Sequence, residues 1–186
     1  MRVQTYHDLH DFSVKHQSQF WDHCFQYLRL IYTGSYVKVV NESARMDTLP
    51  SWFEGININI AENLLYTRSQ YDHLPSKSMQ GKEDYKIAVT EIREGNTEVK
   101  DINWGQLRSE VAELSSAMRA HGVKRGDRIA VVASNSFDTL KVFLATSALG
   151  CIFSSSSTDM GVKGLLDRLV QIEPKVRACA TYQAWS

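Results

Sequence analysis

The 186 residues carry 21 basic and 21 acidic side chains, so the formal net charge is zero. That balance excludes the broad basic footprint with which proteins hold nucleic acid or an anionic membrane. An apolar fraction of 43%, with seven Phe, eight Tyr and four Trp, is enough for a buried core in one domain, or in one domain with a helical extension. Cys24, Cys151 and Cys179 are odd in number and widely scattered, which argues for free thiols in a reducing compartment. The first seven residues lack an apolar core, so no secretory signal is visible. The longest mostly apolar stretch, 143–153, is too short to cross a bilayer, and a cytosolic location is expected.

Residues 5–32 read as two short helices. Thr5 is placed to cap the first, with Tyr6, Leu9, Phe12 and Val14 as its apolar contacts. The second starts near Ser18, and Phe20, Trp21, Cys24, Phe25, Leu28 and Ile31 recur at helical spacing as a core-facing stripe. Residues 37–40 predict a short strand. Pro50 stops one element and Gly55 marks a turn, with Trp52 and Phe53 offering large apolar area between them. The polar stretch 72–85, with Pro75, Ser76, Ser78 and Gly81, is the best subdomain boundary.

A hairpin follows: 86–92 runs out, Glu94-Gly95-Asn96 turns, and 97–102 returns. Asn103 is placed to cap the next helix, with Gln106 at the reciprocal capping position. Leu107, Val111, Leu114 and Met118 form that helix's apolar stripe, and Gly122 sits where a left-handed C-terminal cap belongs. The period then alternates. Residues 129–133 predict a strand buried on both faces. Ser136 caps a helix carrying Leu140, Phe143, Leu144 and Ala148, which Gly150 ends. Residues 151–155 predict a second strand. A helix over 162–172 turns Leu165, Leu166, Leu169 and Ile172 inward before Pro174 stops it, and 176–181 predict a third strand. This is an α/β pattern ending in a parallel βαβαβ unit with right-handed crossovers.

Parallel sheets bind ligands beyond the carboxyl ends of their strands, often at a helix N-terminus. Two such places occur, Ser134-Asn135-Ser136 and the run from Ser154 to Gly161. The second offers five hydroxyls, free backbone donors and a helix dipole. Its chemistry equally suits a turn that only caps its own helix. The nucleotide-cradling pattern Gly-x-x-x-x-Gly-Lys-Ser/Thr occurs nowhere in the chain. His7 and His10, at i and i+3 beside Asp8 and Asp11, lack a converging third ligand in the sequence, so no metal site is assigned.

Several segments resemble one group of proteins. Pro50-Ser51-Trp52-Phe53-Glu54-Gly55 with Asn59-Ile60-Ala61-Glu62-Asn63-Leu64-Leu65 resembles the lead-in segment of the acetoacetyl-CoA synthetases, a branch of the acyl-adenylating acid–CoA ligases. The stretch from Tyr6 to Val14 that ends in Phe20-Trp21 resembles the N-terminal helical extension of acetyl- and acetoacetyl-CoA synthetases. Asn103-Trp104-Gly105-Gln106-Leu107 resembles their first strand-to-helix motif. Gly122-Val123-Lys124-Arg125-Gly126-Asp127-Arg128-Ile129 resembles a turn shared across the superfamily. Ala148 to Gly161, with Thr158-Asp159-Met160 where acetate-activating enzymes carry Gly-Gly-Phe, looks like the acetoacetate-activating version. Asp167-Arg168-Leu169 and Gln171 to Val176 fit the same group.

The resemblance implies an ATP-dependent ligase that joins acetoacetate to AMP, releases pyrophosphate and transfers the acyl group to CoA. It implies ATP, Mg2+ and CoA as cofactors, acetoacetate as the small-molecule substrate, and service to cytosolic lipid synthesis or ketone-body use. Residues 1–63 correspond to the helical extension, and 64–186 to an incomplete AMP-binding domain lying before the phosphate loop. Ser157, Thr158, Asp159 and Arg168 match positions along the CoA site, and no catalytic residue of the group falls within the chain. The 186 residues on their own are therefore expected to be inactive. The alternatives are an acetyl- or propionyl-CoA synthetase, and a non-catalytic isoform that acts only as an interaction module.

Overall fold

The computed structural model describes residues 4–69 and 76–179. In chain order its elements begin with α1 (Tyr6–Lys15), α2 (Gln17–Leu28), β1 (Tyr32–Gly34), β2 (Ile56–Ile58), α3 (Ile60–Leu65), β3 (Thr67–Arg68) and β4 (Lys77–Ser78). They continue with β5 (Ile87–Ile92), β6 (Val99–Asn103), α4 (Trp104–Ala120), β7 (Arg128–Val132), α5 (Phe137–Ala148), β8 (Ile152–Ser156), α6 (Val162–Ile172) and β9 (Val176–Cys179). The chain forms two compact units. The first takes the described residues up to Ile58 and those from Thr67 to Ser78. The second takes Asn59–Tyr66 and everything described from Met79 onward.

In the first unit Thr5 caps α1 reciprocally. Its Oγ1 accepts from the Asp8 N–H at 3.2 Å, and Asp8 Oδ2 accepts from the Thr5 N–H at 2.9 Å. Such a box satisfies two donors that the first turn leaves free. Phe25 of α2 stacks on Phe53 at 4.7 Å between ring centroids and meets Tyr36 edge-on at 5.4 Å. Phe53 adopts a left-handed conformation, φ 45°, which costs a residue with a Cβ about 1–2 kcal/mol. Its N–H donates to the Val39 carbonyl at 2.7 Å and its own carbonyl accepts from Ile56, so the ring's burial is fixed from both sides. The antiparallel pair β1–β2 brings Gly34 so close to Gly55 that a Cβ on Gly34 would lie 2.0 Å from the Gly55 oxygen.

Two expectations fail in this unit. Residues 37–40 form no strand: Val40 makes one isolated antiparallel bridge to Trp52, and the strand lies earlier, at β1. Val39 and Val40 are buried by that bridge while Val37 is fully exposed, so the apolar run serves one contact and not a ladder. The α2 stripe is also only partly core. Within the helix Phe25 alone is buried, and Trp21 and Leu28 are exposed.

The second unit is the α/β part. β5 and β6 pair as an antiparallel hairpin with one register shift between Ile87 and Val89. β7, β8 and β9 form a parallel sheet in the order β8-β7-β9, so α5 and α6 are the crossovers. Central β7 is the most buried strand, through Ile129, Ala130 and Val131, as a strand covered on both faces should be. Ile102, Leu107, Val111, Phe137, Leu144 and Ala145 close the core around it. Asn103 caps α4 by accepting from the Gln106 N–H at 2.7 Å. The reciprocal half of that box is not formed, because the Gln106 amide donates instead to Glu110 at 2.8 Å. Leu165, Leu169 and Ile172 are half-buried as expected, but Leu166 is exposed along with Val162 and Val170. These three lie at i, i+4 and i+8, so α6 carries a second apolar stripe on its outer side.

Short α3 is the part of the Asn59–Leu65 motif that enters this unit. Asn59 caps it, accepting from the Glu62 N–H at 3.1 Å, and donates through Nδ2 to the Ser147 carbonyl at the end of α5, 3.0 Å away. Ala61 and Leu65 are buried in the core. The residues that carried the group-specific resemblance therefore have a docking role in the fold.

Thr146, on α5, is wholly buried, and its hydroxyl has no hydrogen-bond partner among the described residues. An orphaned buried hydroxyl costs about 1–3 kcal/mol. Thr146→Val is thus expected to leave stability unchanged or raise it by about 1 kcal/mol in urea unfolding. A loss of more than that would mean the hydroxyl has a partner.

Acid sensitivity is built into several surface turns. Glu83 is held down to about 2, from an ordinary 4.5, by the Lys86 ammonium and then by the Gly81 N–H. The Ser18 hydroxyl and N–H lower Glu42, and the Lys175 ammonium followed by the Lys124 N–H lowers Asp127. A carboxylate depressed in the folded state contributes stability above its unfolded pKa and loses it as pH falls through the folded one. The urea midpoint is expected to be flat from about pH 8 to pH 5 and to fall below about pH 4.5. Glu83→Gln should flatten the part of that fall between 4.5 and about 2.

Candidate functional site

Because β7 and β8 are parallel and in register, Val132 opposite Ser156, the turns that follow them lie side by side at the carboxyl end of the sheet. This is the position where open α/β sheets take ligands. The two turns differ in what they leave available.

The first turn is closed by the protein itself. Ser136 Oγ accepts from the Thr139 N–H at 3.3 Å, and Thr139 Oγ1 donates to the Ser134 carbonyl at 2.7 Å. Glu91, on the hairpin strand β5, accepts from the Phe137 N–H at 2.9 Å. An internal carboxylate thus occupies the place at the start of α5 where an anionic ligand would bind. No local pattern signals this contact, since Glu91 and Phe137 lie 46 residues apart.

The second turn is open. At Gly161 no side chain caps α6, so the first amides of the helix are left without a side-chain acceptor. Ser157, Thr158 and Asp159 are exposed, and among the described residues the turn holds itself through the Met160 N–H donating to the Ser157 carbonyl at 3.4 Å. The hydroxyls of this run are therefore not spent on capping α6. Arg168 is exposed on α6, and its Nη2 donates to Ser154 Oγ at 3.4 Å. The structure brings Ser157, Thr158 and Asp159 together in one turn. It places Arg168 against the strand, with no hydrogen bond to those three among the described residues. From Val162 to Arg168 is six residues, about 9 Å along the helix.

Two basic side chains near the start of the sheet, Arg128 and Lys175, have structural partners. Arg128 Nε donates to the Ile172 carbonyl and its Nη2 to the Glu173 carbonyl at 3.2 Å, so it caps the C-terminus of α6. Lys175 Nζ pairs with Asp127 at 2.9 Å and reaches the Gly122 carbonyl. Asp127 also accepts from the Lys124 N–H at 2.7 Å. These contacts tie the α6–β9 connection to the start of the sheet. Among the described residues no group of three or more His, Cys, Asp or Glu converges as metal ligands, and no helix is long and apolar enough to cross a membrane. Cys24, Cys151 and Cys179 are free, and burial pushes the Cys151 thiol up.

Known proteins resemble this chain over nearly all of its length. The profile of AMP-binding enzymes matches residues 77–184, and that of the acetyl-coenzyme A synthetase N-terminus matches residues 6–64. The chain belongs to the AMP-binding enzyme family. Acetoacetyl-CoA synthetase of Xenopus tropicalis is 35% identical over 176 residues, covering 95% of this chain and 24% of that protein. Malonamoyl-CoA synthetase vrtB of Penicillium aethiopicum is 39% identical over 175 residues, covering 94% and 23%. The structure of acetoacetyl-CoA synthetase from Streptomyces lividans matches with a TM-score of 0.81 at 27% identity, covering 95% of this chain and 25% of that one. The chain spans about a quarter of the length of these relatives.

Proposed function

We propose that this chain serves an ATP-dependent, AMP-forming ligase that activates acetoacetate and transfers it to CoA. The observation that carries this reading is the similarity to acetoacetyl-CoA synthetases, in sequence and in fold, along 95% of the chain. In the reaction the carboxylate displaces pyrophosphate from ATP, and the CoA thiol then displaces AMP from the acyl adenylate. Such a product would feed cytosolic lipid synthesis or ketone-body use.

Within this chain the reading gives a role to the open turn. Ser157, Thr158 and the uncapped start of α6 offer donors to a polar or anionic group, and Arg168, on the same helix, offers a cation beside Ser154. Such donors suit an anionic ligand that carries phosphates, as CoA does. Asp159 is favourable there only when turned away from the phosphates.

A second substrate is favoured by the 39% identity to malonamoyl-CoA synthetase. Malonamate and acetoacetate are nearly the same size, and each carries a carbonyl on C3. The test is AMP release by the protein that carries this chain, with ATP, CoA and each of acetoacetate, malonamate, acetate and propionate. The two 3-carbonyl acids are expected to exceed acetate and propionate. A preference for acetate would overturn the substrate assignment.

A further inference from the structure

Asn59 and the buried Ala61 and Leu65 dock α3, and two cations hold its C-terminal end. Lys82 Nζ donates to the carbonyls of Asn63 at 3.0 Å, Leu64 at 2.8 Å and Tyr66 at 3.0 Å. Arg108, buried on α4, donates to the carbonyl between them, Leu65, at 2.9 Å. Four successive carbonyls at the end of α3, which helix geometry leaves without partners, are all taken by one ammonium and one guanidinium. Arg108 also donates to the Lys82 carbonyl and to Asp84 Oδ1, both at 2.7 Å, so the second cation holds the first in place. Aromatic faces complete the arrangement. Lys82 lies 5.2 Å from the Trp104 ring centroid, and Arg108 lies 5.5 Å from that of Tyr66.

Two features make this more than packing. A six-residue helix does not persist alone in water, so α3 depends on what holds it. The two cations hold the last residues of this unit's 59–66 segment, Leu65 and Tyr66. The two are chemically unequal. A guanidinium stays charged, whereas a lysine amine loses its charge on acylation or deprotonation. Burial, and then the nearby Arg108, already lower the Lys82 ammonium's pKa.

We propose that Lys82 and Arg108 form a clasp that docks residues 59–66 on the α/β unit, and that the charge on Lys82 is its release point. Neutralising Lys82 loosens the C-terminal end of α3 and leaves the β8-β7-β9 sheet folded. The inference is independent of the ligase reading.

Amide hydrogen exchange of the purified chain tests it, with Lys82→Gln as the neutral variant. Loss of charge-assisted bonds to three carbonyls is expected to speed exchange over residues 60–66 roughly ten- to a hundredfold, with β7 amides unchanged. Asp84→Ala, at an exposed side chain, loosens only the hold on Arg108 and is expected to speed the same segment several-fold. Unchanged exchange at 60–66 in both variants would overturn the clasp. Equal acceleration in β7, or loss of the folded state in Lys82→Gln, would assign Lys82 a global structural role and overturn the release point.

Discussion

Arg108→Ala is expected to lower the stability of the α/β unit by about 2–5 kcal/mol. The guanidinium is 9% exposed and donates to the Leu65 and Lys82 carbonyls and to Asp84. Truncation leaves two inward-facing carbonyls without a donor, at about 1–3 kcal/mol each, and opens a void beside Tyr66 and Trp104. Asp84 is mostly exposed, so it returns to water and adds little. Against a typical domain stability of about 5–15 kcal/mol the change is a large fraction. The check is urea unfolding, where the midpoint should fall with the slope preserved. Lys15→Ala is the control. Its 2.6 Å pair with Asp11 joins two side chains more than half exposed, and solvent screening leaves such a pair little effect on stability. An Arg108→Ala cost as small as the control's would show that the guanidinium is solvated.

If the proposed ligase reading holds, Arg168→Ala in the protein that carries this chain is expected to weaken the apparent affinity for CoA by roughly ten- to a hundredfold, the cost of one charge-assisted contact to a phosphate. Arg168 is exposed, and its one side-chain partner among the described residues is Ser154 at 3.4 Å, so its removal should leave the fold intact. Acid-dependent exchange of pyrophosphate into ATP precedes the arrival of CoA and should be unchanged. The split between the two half-reactions distinguishes the possible roles. A solvated helix charge would move neither, and damage to the fold would depress both equally. Either result would remove Arg168 from the CoA site.

Much of the second unit could be read from local pattern, and the reason is physical. Asn103 and Ser136 cap the helices they precede because a side-chain oxygen needs only to reach two or three residues ahead. The continuous apolar run at 129–132 marks a strand buried on both faces wherever it occurs. Residues whose partners are distant in sequence were not readable. Glu91 closes the start of α5 from 46 residues away, and Arg108 reaches Leu65 across 43. Both act on backbone amides or carbonyls, which carry no sequence signal. The failed strand at 37–40 shows the same limit: β-branched residues advertise burial, and here a single bridge to Trp52 satisfies it. For the site, residue type and spacing identified the Ser-rich turn. That it stays uncapped while its neighbour is filled by Glu91 emerged only from the fold.

The most direct measurement of the ligase reading is the nucleotide product formed by the protein that carries this chain. With acetoacetate, ATP and Mg2+ but no CoA, labelled pyrophosphate should exchange into ATP. On addition of CoA, AMP and a thioester should appear in equal amounts. Formation of ADP and phosphate, or exchange that proceeds only when CoA is present, would contradict an adenylate intermediate and with it the proposed function.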